Sequence, residues 1–534
     1  MWQQWQCSDA DSRLHLPKPN PFIPKDFSLI NNDVKVSFPS VLKKSKMSRL
    51  WYKADTRFGT PKACIQMHFN CPESNYSPEA SILTRIFTKL LVDYLNAYAY
   101  YAEVAGLSYK VVVTPHGFQV SVYGYNHKLI VLTSKIMEFI VNFEVNEDRF
   151  RVMKEMVMKD CVNFRFQQPY QQALYNCSLL LEHKRWHVNE YIEVLPDLTA
   201  EDLRQMFPRI LSRVFVECFV IGNIRSEDAE SLVHDVETAL TAGPIVKSKA
   251  PFSSQLMEQR IVRLEDGVSF NYATDGLNPQ DENSALQLYL QVGQEDISMN
   301  ILVELLVLTI KEGVFHQLRT VEQLGYLVFV ATKNDFGVRG IQFLIQSTVK
   351  DPEALEGRVE AFLERYAETL EKMPEEDFKR HVDALIEMKL EKYKNLWEES
   401  SFFWREITDG TLKFDRPETE VTALRKLEKP ALIQFFKTYI QRNAPQRRKL
   451  SLQVYGSQHS GELRALKEAT RDALSDSVGA QNGLQENCAV LKAEGGEESK
   501  HTRALLIDNI SSFKRGQSLY SSLRGGLHPE YRES

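Results

Sequence analysis

The chain passes through one order of elements twice, so any fold proposed for it must accommodate two copies of a single unit. In the first copy a helical stretch over 95–105 closes at Gly106 before the apolar run Lys110-Val-Val-Val113, and in the second Glu322-Gln-Leu-Gly325-Tyr326 does the same. A strand with period-two alternation follows each time. Phe118, Val120 and Val122 face away from Gln119, Ser121 and Tyr123, as Ile341, Phe343 and Ile345 face away from Gln342 and Gln346. Long helices begin near Asn146 and Pro374 with acidic residues in their first turns, where the helix dipole favours them. Each copy finishes on an apolar strand, at Gly222-Asn223 and Gly456-Ser457. Glu103 thus recurs as Glu322, Gly117 as Gly340, Phe150 as Phe378 and Gly222 as Gly456, a period of about 225 residues that widens slightly as small loop insertions accumulate.

The order predicts an α+β fold of two homologous domains, each an antiparallel sheet backed by helices. Val359, Phe362, Leu363, Tyr366 and Leu370 form the apolar stripe a helix needs to cover one sheet face, and Thr199 is a helix cap. The Pro-rich start around 16–24 reads as part of an incoming linker over 1–35, and Pro251 marks a second linker at 251–259. The expected domains are 36–250 and 260–456. Residues 457–503, poor in large apolar side chains, read as a mobile insert, and 504–534 as a C-terminal segment packing back on the last domain.

Composition excludes several functions. Lys+Arg 65 against Asp+Glu 71 gives a formal net charge of -6, with no basic patch interleaved with aromatics, so nucleic acid is not an expected partner. No run of about 18 apolar residues is present, so no membrane span is expected. Seven scattered cysteines without C-x-x-C pairs read as buried thiols in a reducing compartment. The cytoplasm is the expected compartment, with peroxisome or mitochondrion as alternatives, although Tyr531-Arg-Glu-Ser534 is not a peroxisomal S-K-L address.

The segment Phe315-His-Gln-Leu-Arg319-Thr-Val-Glu322-Gln-Leu-Gly325-Tyr326 holds the candidate site. Phe315, Leu318 and Leu324 are apolar at roughly helical spacing, Gly325 is placed to end the helix in a left-handed cap, and Tyr326-Leu-Val-Phe-Val reads as a buried strand. On residues alone two readings stand: Arg319 pairs with Glu322 while Tyr326 packs in the sheet, or both side chains act as donors in a site.

The pattern F-x-x-L-R-T-x-E-Q-L-G-Y closely resembles the last domain of the insulin-degrading enzyme and pitrilysin (inverzincin) family of zinc metallopeptidases, which enclose peptides in a clamshell chamber. The resemblance runs over about 16–520 apart from the insert and includes Phe166-Gln-Gln-Pro169. It implies that Arg319 and Tyr326 hold the substrate backbone and stabilise the oxyanion at the scissile carbonyl, that Phe315 packs beneath that corner and contacts substrate, and that the chain forms one bowl of the chamber. It also implies a basic pair at Lys394 and Asn395 for polyanions. Here the second position is Asn395, so Lys389, Lys392 and Lys394 are expected to form a solvated helix face.

The family's zinc signature, H-x-x-E-H on a helix, occurs nowhere in the chain. His183, His187 and Glu190 share the i, i+4, i+7 spacing of a helix face, yet no glutamate sits between the histidines to act as base, and no metal is expected there. Phosphate loops and serine elbows are also absent. The expectation is a C-terminal, substrate-binding half of an insulin-degrading-enzyme-like metalloendopeptidase, inactive alone, with zinc bound by an N-terminal half on the same or a separate chain. Peptides and that half are its expected partners, homo-oligomers remain open, and the start at Met1-Trp2 also suits a truncated gene model. The alternative is a non-catalytic member that binds peptides or a partner subunit.

Overall fold

The computed structural model describes residues 19–30, 35–256, 259–475, 488–490 and 503–523. Two open sheets organise them. The first contains β1 (Ser40–Lys44), β2 (Ser48–Ala54), β3 (Lys62–Asn70), β4 (Ser108–Thr114), β5 (Gly117–Tyr125) and β6 (Phe215–Gly222), in the order β1-β2-β6-β3-β5-β4. The remaining strands are β7 (Val262–Arg263), β8 (Val268–Asp275), β9 (Ser284–Gln294), β10 (Leu327–Asp335), β11 (Val338–Ser347), β12 (Lys449–Tyr455), β13 (Cys488–Val490), β14 (Arg503–Ile507) and β15 (Ser518–Leu519). The second sheet is ordered β10-β11-β9-β12-β8-β14-β13, so β8-β12-β9-β11-β10 repeats β2-β6-β3-β5-β4 strand for strand.

The α+β fold of two homologous domains is as expected, and most pairings are antiparallel. β2 with β6 and β8 with β12 are parallel. Topology requires this. The last strand of each copy inserts between two strands that run in opposite directions, so it must be parallel to one of them. The equivalent glycines mark where strands are pressed together: a Cβ on Gly117 would lie 1.9 Å from the Phe69 carbonyl oxygen, and one on Gly340 2.5 Å from that of Leu290.

One face of each sheet is covered as the stripes predict. Phe118, Val120 and Val122 pack among the helices Pro78–Val104, Asn126–Val141 and Ala200–Ile210, while Ile341, Phe343 and Ile345 pack against Ile297–Val314 and Pro352–Lys372. Thr199 caps its helix by accepting from the Asp202 N–H at 3.2 Å, with Asp202 returning the bond. The opposite faces, which the Gln and Ser of the alternating strands mark as polar, are also covered. The two domains exchange helices there.

Helix Pro169–Leu181 belongs to the first copy but lays Ala173, Cys177 and Leu180 on Phe270, Tyr289 and Leu452 of the second sheet. Helix Leu396–Asp409 belongs to the second copy but lays Phe403, Trp404 and Ile407 on Trp51, Phe219 and Ile221 of the first. The polar strand residues find partners across this junction. Trp404 Nε1 donates to Gln119 Oε1 at 3.0 Å, and Gln66 Nε2 donates to Ser400 Oγ at 2.9 Å. Lys53 and Glu399 pair at 3.5 Å in the same buried layer, where burial raises the Glu399 carboxyl despite the lysine.

The segment expected to be a linker is docked, with Phe22 buried and the Ile30 N–H donating to Asn223 Oδ1 at 2.9 Å; residues 1–18, 31–34 and 257–258 lie outside the described residues. The stretch read as a mobile insert begins with a helix, Ser460–Ser475, in which Leu463 is buried despite the polar composition. Residues 476–487 and 491–502 of that stretch are outside the described set. Beyond it β14 adds to β8, and Phe513 packs edge-on to Phe270 with ring centroids 5.2 Å apart. Residues 524–534 are again outside.

Cys64, Cys71, Cys161, Cys177 and Cys218 are buried free thiols, and burial pushes Cys64 and Cys177 up to about 12. Cys7 and the Cys488 side chain are not described. Among the described residues no helix is long and apolar enough to cross a membrane.

Candidate peptide-binding corner

The corner that carries Arg319 and Tyr326 is built by a change of helix type. Asp296 starts the helix Ile297–Val314 by accepting from the Met299 N–H at 2.9 Å. Instead of ending, that helix widens into a π-helical turn over Phe315–Val321. The Glu322 N–H then reaches the Gln317 carbonyl at 2.9 Å and the Leu324 N–H reaches that of Leu318 at 3.0 Å. Such a turn accommodates an extra residue per turn and is frequent at functional sites. Leu318 and Leu324 anchor it in the core.

Two local expectations are corrected. The left-handed residue is Gln323, with φ +51°, rather than Gly325. Gly325 is required by proximity, because a Cβ there would stand 1.9 Å from the Gln346 carbonyl oxygen on β11. The strand begins at Leu327, one residue later than expected, and β10 is a sheet edge rather than a buried strand. Tyr326 is therefore left 87% exposed.

Phe315 does not pack beneath the corner. It is 45% exposed and its ring centroid lies 4.6 Å from the Arg319 guanidinium carbon, while the Tyr326 ring lies 4.7 Å away. Cation–π contacts with such exposed rings contribute about 0.5–1 kcal/mol, enough to bias the position of the guanidinium. The expected alternative, pairing of Arg319 with Glu322, is not formed. Glu322 accepts from Arg358 Nε at 2.6 Å and Nη2 at 2.8 Å, from Gln317 Nε2 at 2.8 Å, and lies 3.7 Å from Arg365 Nη2. The Arg358 hydrogen bonds hold its carboxyl below the ordinary value.

Arg358 and Arg365 went unnoticed in the sequence. Their spacing of seven on Pro352–Lys372, off the apolar stripe, is the signal that places both on one face toward Glu322. The first domain reaches the corner too. Gln346, which pairs with Leu327, accepts from the Tyr170 N–H at 3.2 Å and donates to Gln168 Oε1 at 3.3 Å, so Phe166-Gln-Gln-Pro169 abuts the start of β10.

The histidine spacing has another explanation. His183 lies outside any helix, and His187 is the N-cap of Val188–Val194, where its Nδ1 accepts from the Asn189 N–H at 3.0 Å and Glu190 returns a bond to the His187 N–H at 2.5 Å. His187 and Glu190 form a capping box, and the three residues do not share a ligand face. Among the described residues no group of three His, Cys, Asp or Glu side chains is arranged to hold a metal. Lys389, Lys392 and Lys394 do not share a helix face either: the helix stops at Lys389, whose Nζ pairs with Glu304 and Glu420, and Lys394 pairs with Glu391 at 3.2 Å. Asn395 caps the helix Leu396–Asp409 through the Glu398 N–H at 3.0 Å.

Comparisons with known proteins agree with this architecture. A family described as "Middle or third domain of peptidase_M16" matches residues 1–194, and one described as "PQQ synthase PqqF-like, C-terminal lobe domain 4" matches residues 305–404, the stretch that includes the corner. The chain is 47% identical over 528 residues to insulin-degrading enzyme-like 1, peroxisomal, of Arabidopsis thaliana, covering 99% of this chain and 51% of that protein. It is 38% identical over 453 residues to the insulin-degrading enzyme of Homo sapiens, covering 85% of this chain and 44% of that protein. The fold superposes on pitrilysin with a TM-score of 0.78 at 23% identity, over 95% of this chain and 49% of that one. Spanning about half the length of the curated relatives it matches, the chain belongs to the insulin-degrading enzyme and pitrilysin family.

Proposed function

We propose that the chain is the substrate-binding half of an insulin-degrading-enzyme-like zinc metalloendopeptidase, with 36–250 and 260–456 forming one bowl around an enclosed peptide. The observation that supports it most is the state of Arg319: it lies against two exposed rings while its neighbouring carboxylate is engaged elsewhere. A guanidinium held by ring faces and not by that carboxylate retains N–H donors for a ligand, and the neighbouring Tyr326 carries a phenolic O–H that can also donate. Both donate to a peptide carbonyl, and both bonds strengthen as charge develops on that oxygen. Phe315 supplies an apolar contact for a substrate side chain.

Among the described residues no group of His, Cys, Asp or Glu is arranged to hold a zinc ion, and the metal is assigned in this reading to a zinc-bearing half that supplies the activated water. Without that half the main chemical step has no catalyst. The peroxisomal name of the Arabidopsis thaliana relative favours a peroxisomal location, which organelle fractionation tests.

Cleavage of a quenched fluorescent peptide, with zinc, by the chain alone and mixed with a separately made zinc-bearing half of a relative tests the assignment. Turnover only in the mixture, lost in Arg319→Ala, is the expected result. Turnover by the chain alone overturns the division of labour, and silence in both with retained peptide binding favours a non-catalytic binding protein.

A further inference from the structure

We propose that Arg358 and Arg365 are positioning residues that keep Glu322 occupied and thereby leave the Arg319 guanidinium free for peptide, an inference that rests on the role proposed above for Arg319. Glu322 follows Arg319 by three residues, the spacing at which opposite charges meet on a helix. Left alone, the carboxylate is a strong competitor for the guanidinium. An Arg319 bound to Glu322 carries a compensating charge and has fewer donors for an oxyanion.

Two features prevent the pairing. The π-turn over Phe315–Val321 places Arg319 off the regular helical register and against Phe315 and Tyr326. The Arg358 fork then takes both oxygens of Glu322, at 2.6 and 2.8 Å, with Gln317 Nε2 at 2.8 Å and Arg365 at 3.7 Å completing the shell. A bidentate guanidinium–carboxylate pair is geometrically specific, and a lysine cannot reproduce it. Rigid packing delivers the fork, because the helix Pro352–Lys372 buries Leu355, Val359, Phe362, Leu363 and Tyr366 in the second core. The hydrogen bonds from Arg358 also keep the Glu322 carboxyl ionised, as an acceptor only.

The test is the variant Arg358→Met/Arg365→Met, compared with the same variant carrying Glu322→Gln. In a crystal structure of the double variant, Arg319 is expected to leave the Phe315 ring and lie within hydrogen-bond distance of Glu322. Binding of a labelled peptide to the full chain, read by fluorescence anisotropy, is expected to weaken on the order of tenfold. Adding Glu322→Gln is expected to restore affinity to within about twofold, since the neutral amide no longer captures the guanidinium. A merely structural role for the ion pair predicts no such rescue. The inference is overturned if Arg319 stays on the rings in the double variant, or if the triple variant binds as weakly as the double. If the unaltered chain binds no peptide, the proposed function fails, while the position of Arg319 still decides the clamp.

Discussion

The Arg319 guanidinium carbon lies 4.7 Å from the ring centroid of Tyr326, although the two residues stand on opposite sides of a break between helix and strand. Three local devices produce that proximity: the π-turn, the left-handed Gln323, and Gly325, where a Cβ would stand 1.9 Å from the Gln346 carbonyl oxygen. The corner is therefore a shape imposed on the backbone, and the two side chains inherit their placement from it.

Arg319→Ala and Tyr326→Phe separate catalysis from stability. Tyr326 is exposed and Tyr326→Phe keeps its ring, so that change should alter folding stability by no more than about 0.5 kcal/mol, whereas Arg319→Ala, at a partly exposed position, loses two ring contacts and should cost about 1–2 kcal/mol. Peptide turnover by the chain mixed with a zinc-bearing half should fall about 10²–10³-fold for a lost oxyanion donor. Thermal melts and kcat on the same preparations check both. A large drop in melting temperature with little kinetic effect would give the corner a structural role.

Gly325→Ala has the opposite signature. The added methyl collides with backbone rather than with a flexible side chain, so strands β10 and β11 must part or the turn must shift. Overpacking of this kind costs about 1–3 kcal/mol. Chemical denaturation should show a loss in that range, with peptide affinity reduced because Tyr326 moves with the strand. A loss below about 0.5 kcal/mol would contradict the required close approach.

What the sequence made legible was the periodic part. The apolar stripe at Val359, Phe362, Leu363 and Tyr366 and the alternation at Phe118, Val120 and Val122 each report one face of one element, and each is buried as read. The helix exchange was not legible, because Gln66, Gln119 and Ser400 look solvated until a helix from the other repeat supplies their partners. A polar residue announces that it needs a hydrogen bond, not where the partner comes from. The same limit applies at the corner. Glu322 predicts a cation nearby, and only the tertiary structure chooses Arg358 over Arg319. His187 and Glu190 fit a ligand face by spacing, whereas the chain before His187 is not helical.

The exchange should make the two domains unfold as one cooperative unit. Trp404 and Phe403 lie on a helix of the second repeat yet fill the layer against Trp51 and Phe219 of the first. Trp404→Ala should cost about 3–5 kcal/mol and orphan the Gln119 amide oxygen that accepts from the indole. Hydrogen exchange should show reduced protection in strands β2, β3 and β6 as well as in the helix Leu396–Asp409. Loss confined to the second domain would mean that the domains fold independently.

The cap at His187 should make the chain sensitive to mild acid. Burial lowers the pKa of this imidazole below the ordinary 6.5, with Glu190 and Glu193 opposing the shift more weakly. Its Nδ1 must be unprotonated to accept from the Asn189 N–H. The folded state therefore resists a proton that the unfolded state binds at 6.5. The stability tied to this site is fully present above that value and declines as pH falls from about 6.5 toward the folded pKa. His187→Asn keeps a good capping oxygen and removes the titration. Between pH 7.5 and 5.5 the unaltered chain should lose more stability than the variant, by an amount that denaturation midpoints at matched ionic strength resolve. Equal losses in both would show that the imidazole is not the group that titrates, and would direct attention to His183 and His381, which burial shifts in the same direction.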